Sequence, residues 1–379
     1  MNGDAGPVHL PLVDHHCHGV VRGDLDRPGF EALMSEGGPP PDGATNFDTP
    51  VGLAIRRHCA PVLDLAPHAS PEDYLRRRAE LGTAQVTRRF LQASGIAEML
   101  IDTGLRPEAL LDPPAMARAS GGDAREIVRL ETVAERLADD GVEPGEFAAA
   151  FRASLARAVA ASGAAGLKSI AAYRTGLDFD PRPPGAAEIT AAAAGWLARP
   201  AGQRRLADPV LTRALLWAAV ECGLPIQFHI GYGDRDIRLH RSDPALLTDF
   251  LHLVGDRVPV MLLHTYPYQR QAGYLAAVYP NVYLDVGLAL SYVGPARAGE
   301  VLAEALELAP FTKLLFSTDA FGLPELYYLG AQVFRQALDR LLGERVRSGE
   351  WAAGDAGRIA HMVCAGNARR VYRLGAGAA

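Results

Sequence analysis

Short apolar runs rich in valine, isoleucine and leucine recur along the chain, and each is followed by a stretch of helical periodicity. The runs are 9–15, Glu98–Asp102, Glu126–Leu130, Gly166–Ala171, Pro225–His229, Pro259–His264, Asn281–Val286 and Lys313–Asp319. A strand covered on both faces reads as a near-continuous apolar run, as a parallel sheet packed against helices requires. Eight such units in alternation predict a closed α/β barrel, the (β/α)8 TIM barrel. A doubly wound sheet is the nearest alternative. No Gly-x-Gly-x-x-Gly follows the first run, so its dinucleotide-binding form has little support.

The helical stretches carry ordinary boundary signals. Ser70-Pro71-Glu72-Asp73 supplies a cap, a proline at the first helical position and acids in the first turn. Asp208-Pro209 does the same before Val210–Cys222, and Gly223 closes that helix. Ala186–Ala198 is a helix by propensity. The stretch of about 20–80 is far too long for one crossover helix. It predicts a helical insertion between strands one and two, packed over the barrel mouth within a single domain spanning 1–379. The tail after Leu374 is expected to be disordered.

Composition narrows the partners. Apolar residues make up 49% of the 379-residue chain and charged ones 22%, enough for a large core, and the net charge is −6. No polybasic run or long uncharged apolar segment is present, which argues against nucleic acid and membrane and leaves a small-molecule substrate. The first residues lack a basic region followed by an apolar stretch, so no secretory signal is expected. Cys17, Cys59, Cys222 and Cys364 have no paired spacing and read as reduced thiols of a cytoplasmic protein.

Chemistry in such a barrel gathers at the C-terminal strand ends. Strand one ends in Asp14-His15-His16-Cys17-His18, and alternation sends His16 and His18 to one side. Strand five ends at His229, strand six at His264 and strand eight at Asp319. Imidazole and carboxylate at four strand ends are the ligand types of zinc and its neighbours. Any one of these histidines alone reads more readily as a core residue. Cys17, between the two imidazoles, should point into the wall. His9, His58, His68, His240, His252 and His361 follow no strand-end pattern and read as structural or surface residues.

Asp14-x-His16-x-His18, His229, His264 and Asp319 together resemble the amidohydrolase superfamily. Gly366-Asn367-Ala368-Arg369-Arg370-Val371-Tyr372 resembles the last helix of its amidohydrolase-related branch, family 2. The runs 166–176 and 317–322 are similar to the amidohydrolase domain of FluG-type proteins. There that domain is fused to a glutamine-synthetase-like one, which this sequence is expected not to reach. The resemblance covers about 10–372 and is weakest near 20–80.

The resemblance implies a divalent metal, most often zinc, held by His16, His18, His229 and Asp319, with Asp319 also moving a proton. One ion is expected. His264 then orients water or polarises the scissile carbonyl; with two ions it would be a ligand of the second. Lys168 either bridges two metals as a carboxylated lysine or is a buried charge partner, of substrate or of Glu131 or Asp102. Asp14 is expected to accept a hydrogen bond from a ligand histidine and fix its tautomer, the alternative being a turn residue. Tyr173, Arg174 and Tyr266 are candidates for gripping a substrate carboxylate or carbonyl, against rim pairing and packing. The charged loop 231–238 either sets specificity or is a solvated loop.

Three functions stay open at this point. The first is a metal-dependent hydrolase of an amide or related C–N bond in a small substrate, acidic or of γ-glutamyl type. The second is a metal-dependent decarboxylase of the same branch, and the third a non-catalytic regulatory barrel. A homo-oligomer is compatible with the family.

Overall fold

The computed structural model describes residues 10–375. His9 and most of the predicted disordered tail lie outside the described residues. Seven parallel strands form one sheet in simple chain order: β1 (Leu12–Cys17), β2 (Ile96–Asp102), β3 (Asp123–Arg129), β4 (Gly166–Ser169), β5 (Ile226–His229), β6 (Val260–Leu263) and β7 (Val282–Leu284). Consecutive order, parallel pairing and intervening helices make the curled sheet of a TIM-barrel-like α/β fold.

The expected eighth strand is not a regular ladder strand. Residues 313–319 bridge β7 only at Leu284–Leu314. On their other side His15 N–H donates to the Phe316 carbonyl at 3.0 Å and Asp319 N–H to that of His16 at 3.1 Å. The segment is therefore hydrogen-bonded on both sides, but the Asp319 backbone turns to φ +50 as it reaches the rim.

Two buried clusters separate the faces of the sheet. Val13, Leu100, Ile127, Met261, Leu263 and Leu315 meet inside it, together with Tyr372 and Ala368 of the last helical turns. Leu12, Cys17, Met99, Ile101 and Leu167 face the opposite way, into the larger core under the helices. Caps form where the sequence predicts them: Ser70 Oγ accepts from the Asp73 N–H, and Asp208 from those of Val210 and Leu211. The helices they open run Pro71–Leu81 and Pro209–Cys222, and Ala186–Leu197 is helical as well. Between β1 and β2 the chain passes through helices Arg27–Ala32, Pro50–Ala54, Pro71–Leu81 and Thr83–Ser94. No helix among the described residues is long and apolar enough to cross a membrane, and all four cysteines are free.

Candidate metal centre and pocket

Strand β1 does not alternate as its sequence predicts. Between Asp14 and Cys17 it advances three residues while β2 advances two, from Met99 to Ile101. One residue is extra, a bulge that turns two consecutive side chains to the same side. His15 and His16 thus both face the barrel interior. Asp14 turns the other way, where its carboxylate accepts from the Thr318 N–H at 3.0 Å and from Thr318 Oγ. It reaches no histidine ring, which corrects the expectation that it fixes a ligand tautomer. Burial pushes its carboxyl up to about 8, against the hydrogen bonds from Thr318.

Other groups orient the two imidazoles. His16 Nδ1 lies 2.8 Å from Gln227 Oε1, and His18 Nδ1 lies 3.1 Å from the Asp102 carbonyl. Gln227 Nε2 is committed to the His15 carbonyl at 2.7 Å and the Tyr372 hydroxyl at 2.8 Å, so Oε1 is the atom left for His16. Each Nδ1 therefore carries the proton, and each Nε2 presents a lone pair to the site.

Those lone pairs meet a carboxylate. Asp319 Oδ1 is 3.1 Å from His16 Nε2 and 3.4 Å from His18 Nε2, while Oδ2 is 3.2 Å from His264 Nε2. The donor atoms of His16, His264 and Asp319 lie within 4.8 Å of one another, as do those of His16, His18 and Asp102. His229 belongs to neither trio, but its ring is 5.0 Å from that of His264. His229 Nε2, both ring nitrogens of His264 and Asp319 Oδ1 are buried without a hydrogen-bond partner. Ring nitrogens and a carboxylate gathered here without enough hydrogen-bond donors fit a divalent cation.

Burial pushes the His16 imidazole down to about 3, aided by the Lys168 charge, and His264 down to about 4. Burial and the neighbouring His264 hold His229 well below the imidazole range. For Asp319, burial alone would raise the carboxyl, but the surrounding His264, His16 and His18 hold it well below its usual range. Protons are thus poor substitutes for a metal between these groups.

Lys168 comes off β4 into the same centre, its amine 3.4 Å from His16 Nε2. Neither expected salt-bridge partner reaches it. Asp102 is held by Arg129 at 2.7 Å, and Glu131 accepts from Ser169 Oγ and the Ile170 N–H. Burial lowers the amine to about 8, against the pull of Asp319 and Asp102. This leaves Lys168 an ammonium near neutrality whose charge no carboxylate takes up directly.

The centre opens into a cavity of about 470 Å³ lined by His16, His18, Lys168, His229 and Asp319, and also by Tyr173 and Arg174. The Tyr173 ring stacks 4.4 Å from that of His229. Arg174 pairs with Glu135 at 3.1 Å. Tyr266 is not among the lining residues; its carbonyl instead receives the Tyr232 N–H. The loop 231–238 folds over the centre. A Cβ added at Gly233 would sit 2.1 Å from the Tyr173 hydroxyl and 2.9 Å from His229 Nε2, so only glycine admits that approach. His58, His68, His240, His252 and His361 lie elsewhere.

Sequence reasoning missed several lining residues. Arg129 ends β3, where an arginine after an apolar run was the available signal. Glu36, Arg106, Arg205 and Tyr292 come from loops and helix starts, which carry no periodic mark. His15 was hidden by the bulge.

Comparison with known proteins agrees with this geometry. The family model described as Amidohydrolase matches residues 13–374. Protein fluG of Emericella nidulans is 28% identical over 96% of the chain, which spans 46% of that protein's length. A crystal structure from Lactobacillus casei ATCC 334, assigned as a metal-dependent hydrolase, superposes with a TM-score of 0.83 at 31% identity, covering 96% of each chain. Glucuronate isomerase from Caulobacter crescentus shares the fold, with a TM-score of 0.69 at 16% identity over 98% of this chain and 93% of that one. The chain therefore belongs to the amidohydrolase family.

Proposed function

We propose that the chain is a metal-dependent hydrolase that cleaves an amide or related C–N bond in a small, carboxylate-bearing substrate. The observation that carries this reading is the approach of His16, His18 and His264 Nε2 to the one buried carboxylate of Asp319, with the unpartnered His229 Nε2 on the neighbouring ring. His16, His18, His229 and Asp319 would hold the ion, zinc being the metal that best suits three imidazoles and a carboxylate. When bound, it supplies a positive charge that acidifies water and polarises a carbonyl. Asp319, ionised in this setting, accepts the proton of the attacking water and passes it to the leaving nitrogen. His264, on the far oxygen of Asp319, orients the water or the scissile carbonyl. Arg174 and Tyr173 hold the substrate carboxylate, and Lys168 adds an uncompensated positive charge at the same wall. The segment 20–80 acts as an insertion that roofs the cavity through residues 32–39.

Asp319→Asn tests the reading on γ-glutamyl amides in labelled water. Turnover is expected to fall by roughly 10²–10⁴-fold, with metal content, measured by elemental analysis, maintained. Unchanged turnover would refute the role of Asp319. Release of carbon dioxide with no ¹⁸O in the product would replace hydrolysis by decarboxylation. The same elemental analysis, read as one or two ions per chain, decides whether Lys168 and His264 serve a second site.

A further inference from the structure

The cavity is lined by groups of both signs, and most of its arginines are already engaged. Arg129 pairs with Asp102 at 2.7 Å, Arg174 with Glu135 at 3.1 Å and Arg205 with Asp236 at 2.9 Å, while Arg174 Nε is buried without a hydrogen-bond partner. The groups acting on the Arg174 guanidinium, after burial, are Glu135, Arg205, Glu131 and Arg129. Glu36 and Asp234 line it as well, with Tyr173 and Tyr292. Among the described residues, no hydrogen bond or ion pair is formed by the half-buried Glu36 carboxyl, and no ion pair by Asp234. Burial, then the charges of Asp319 and Asp234, push the Glu36 carboxyl up to about 8, and no arginine offsets them. The Glu36 charge in turn bears on Tyr173, Tyr232 and Tyr292, and the last two rings pack edge to face at 5.5 Å.

A carboxyl without a cation, in a cavity it shares with tyrosine side chains, suits an organic ammonium. A metal ion among the histidines would satisfy Asp319 but not Glu36 or Asp234. We infer that Glu36, with Asp234, is a specificity residue that binds a primary ammonium group, so that the substrate is an amino-acid derivative with its carboxylate at Arg174. This rests on the reading of a carboxylate-bearing substrate and adds a positive group to it. A desamino analogue brings no cation to the unpaired Glu36 and is the poorer ligand.

The test measures binding of L-glutamate and of glutarate, its desamino counterpart, to zinc-loaded protein by calorimetry. Wild type is expected to prefer L-glutamate by roughly tenfold. In Glu36→Gln the preference should fall to within about twofold while glutarate affinity holds; Asp234→Asn should reduce it by less. The inference is overturned if glutarate binds wild type as tightly as L-glutamate, if neither binds at millimolar concentration, or if Glu36→Gln keeps the full preference. No turnover is read, so failure of the hydrolase reading and failure of this one are told apart.

Discussion

His15 and His16 are neighbours in sequence, both buried and both facing the barrel interior, yet they belong to opposite kinds of environment. Around His15 every polar atom is matched. Its Nε2 lies 3.0 Å from Asp285 Oδ2, and its Nδ1 lies 3.0 Å from the Tyr372 hydroxyl. Asp285 Oδ1 accepts from the His264 N–H, the Gly287 N–H and Ser317 Oγ. Around His16 the acceptors outnumber the donors, and atoms of His229, His264 and Asp319 stay unmatched. Two adjacent residues of β1 thus belong one to a network that closes on itself and one to a group whose polar atoms stay unmatched. Full satisfaction rigidifies a core, while a deliberate deficit creates a binding site.

The sharpest way to break this comparison is to unbalance the satisfied network. Asp285→Ala leaves His15 Nε2, the His264 N–H, the Gly287 N–H and Ser317 Oγ without their acceptor. The carboxyl is held well below its usual range, burial notwithstanding, by the His15 hydrogen bond and the His15 and His264 charges, so its ionised form is the one that matters. Denaturant unfolding of the metal-free protein should show a loss of about 3–5 kcal/mol. A loss under about 1 kcal/mol would mean the network contributes little. The complementary manipulation is at the open end: chelating the metal should lower stability by about 2.7 kcal/mol relative to protein at a metal concentration of one hundred times Kd. A thermal midpoint indifferent to chelator and to added zinc would deny that the unmatched acceptors form a metal site.

The contrast also marks what the sequence could and could not disclose. His16, His18, His229, His264 and Asp319 were legible because each sits at the end of an apolar run, and strand ends in a barrel converge. Arg129 sat at such an end too and went unread, since an arginine there is usually a rim residue. The pairing was less legible than the placing. Asp14, expected to hold a ligand histidine, turns away from the imidazole rings, because one bulged residue in β1 changes the side it faces. Lys168, expected as a bridging ligand or as a charge partner of substrate, Glu131 or Asp102, pairs with neither carboxylate, since Arg129 engages Asp102 and Ser169 engages Glu131. Residues 313–319 read as a strand from their apolar content, yet regular pairing fails where the backbone turns to bring Asp319 inward. Glu36 lay in a glycine- and proline-rich stretch with no periodicity to say which way a side chain points.

The smallest expected effect probes how the two regions communicate. Donor and acceptor roles run in one direction from Asp285. Its carboxylate fixes the proton on His15 Nε2, which leaves Nδ1 to accept from the Tyr372 hydroxyl. That oxygen accepts from Gln227 Nε2, and Gln227 Oε1 then accepts from His16 Nδ1. The lone pair of His16 Nε2 is thereby set by a carboxylate at the other end of a relay of four hydrogen bonds, with Tyr372 as the link supplied by the last helical turns. Tyr372→Phe removes one hydroxyl and keeps the ring that packs with Val13 and Ile127 inside the barrel. Stability should fall by only about 1 kcal/mol, because Gln227 still donates to the His15 carbonyl. Metal affinity should fall by roughly 10-fold or more, since Gln227 is freed to rotate and His16 loses the constraint on its tautomer. Competition titration with a zinc chelator reads that affinity directly. An unaltered zinc affinity in a destabilised Tyr372→Phe would show that the two regions are neighbours without coupling, and that Gln227 alone holds His16.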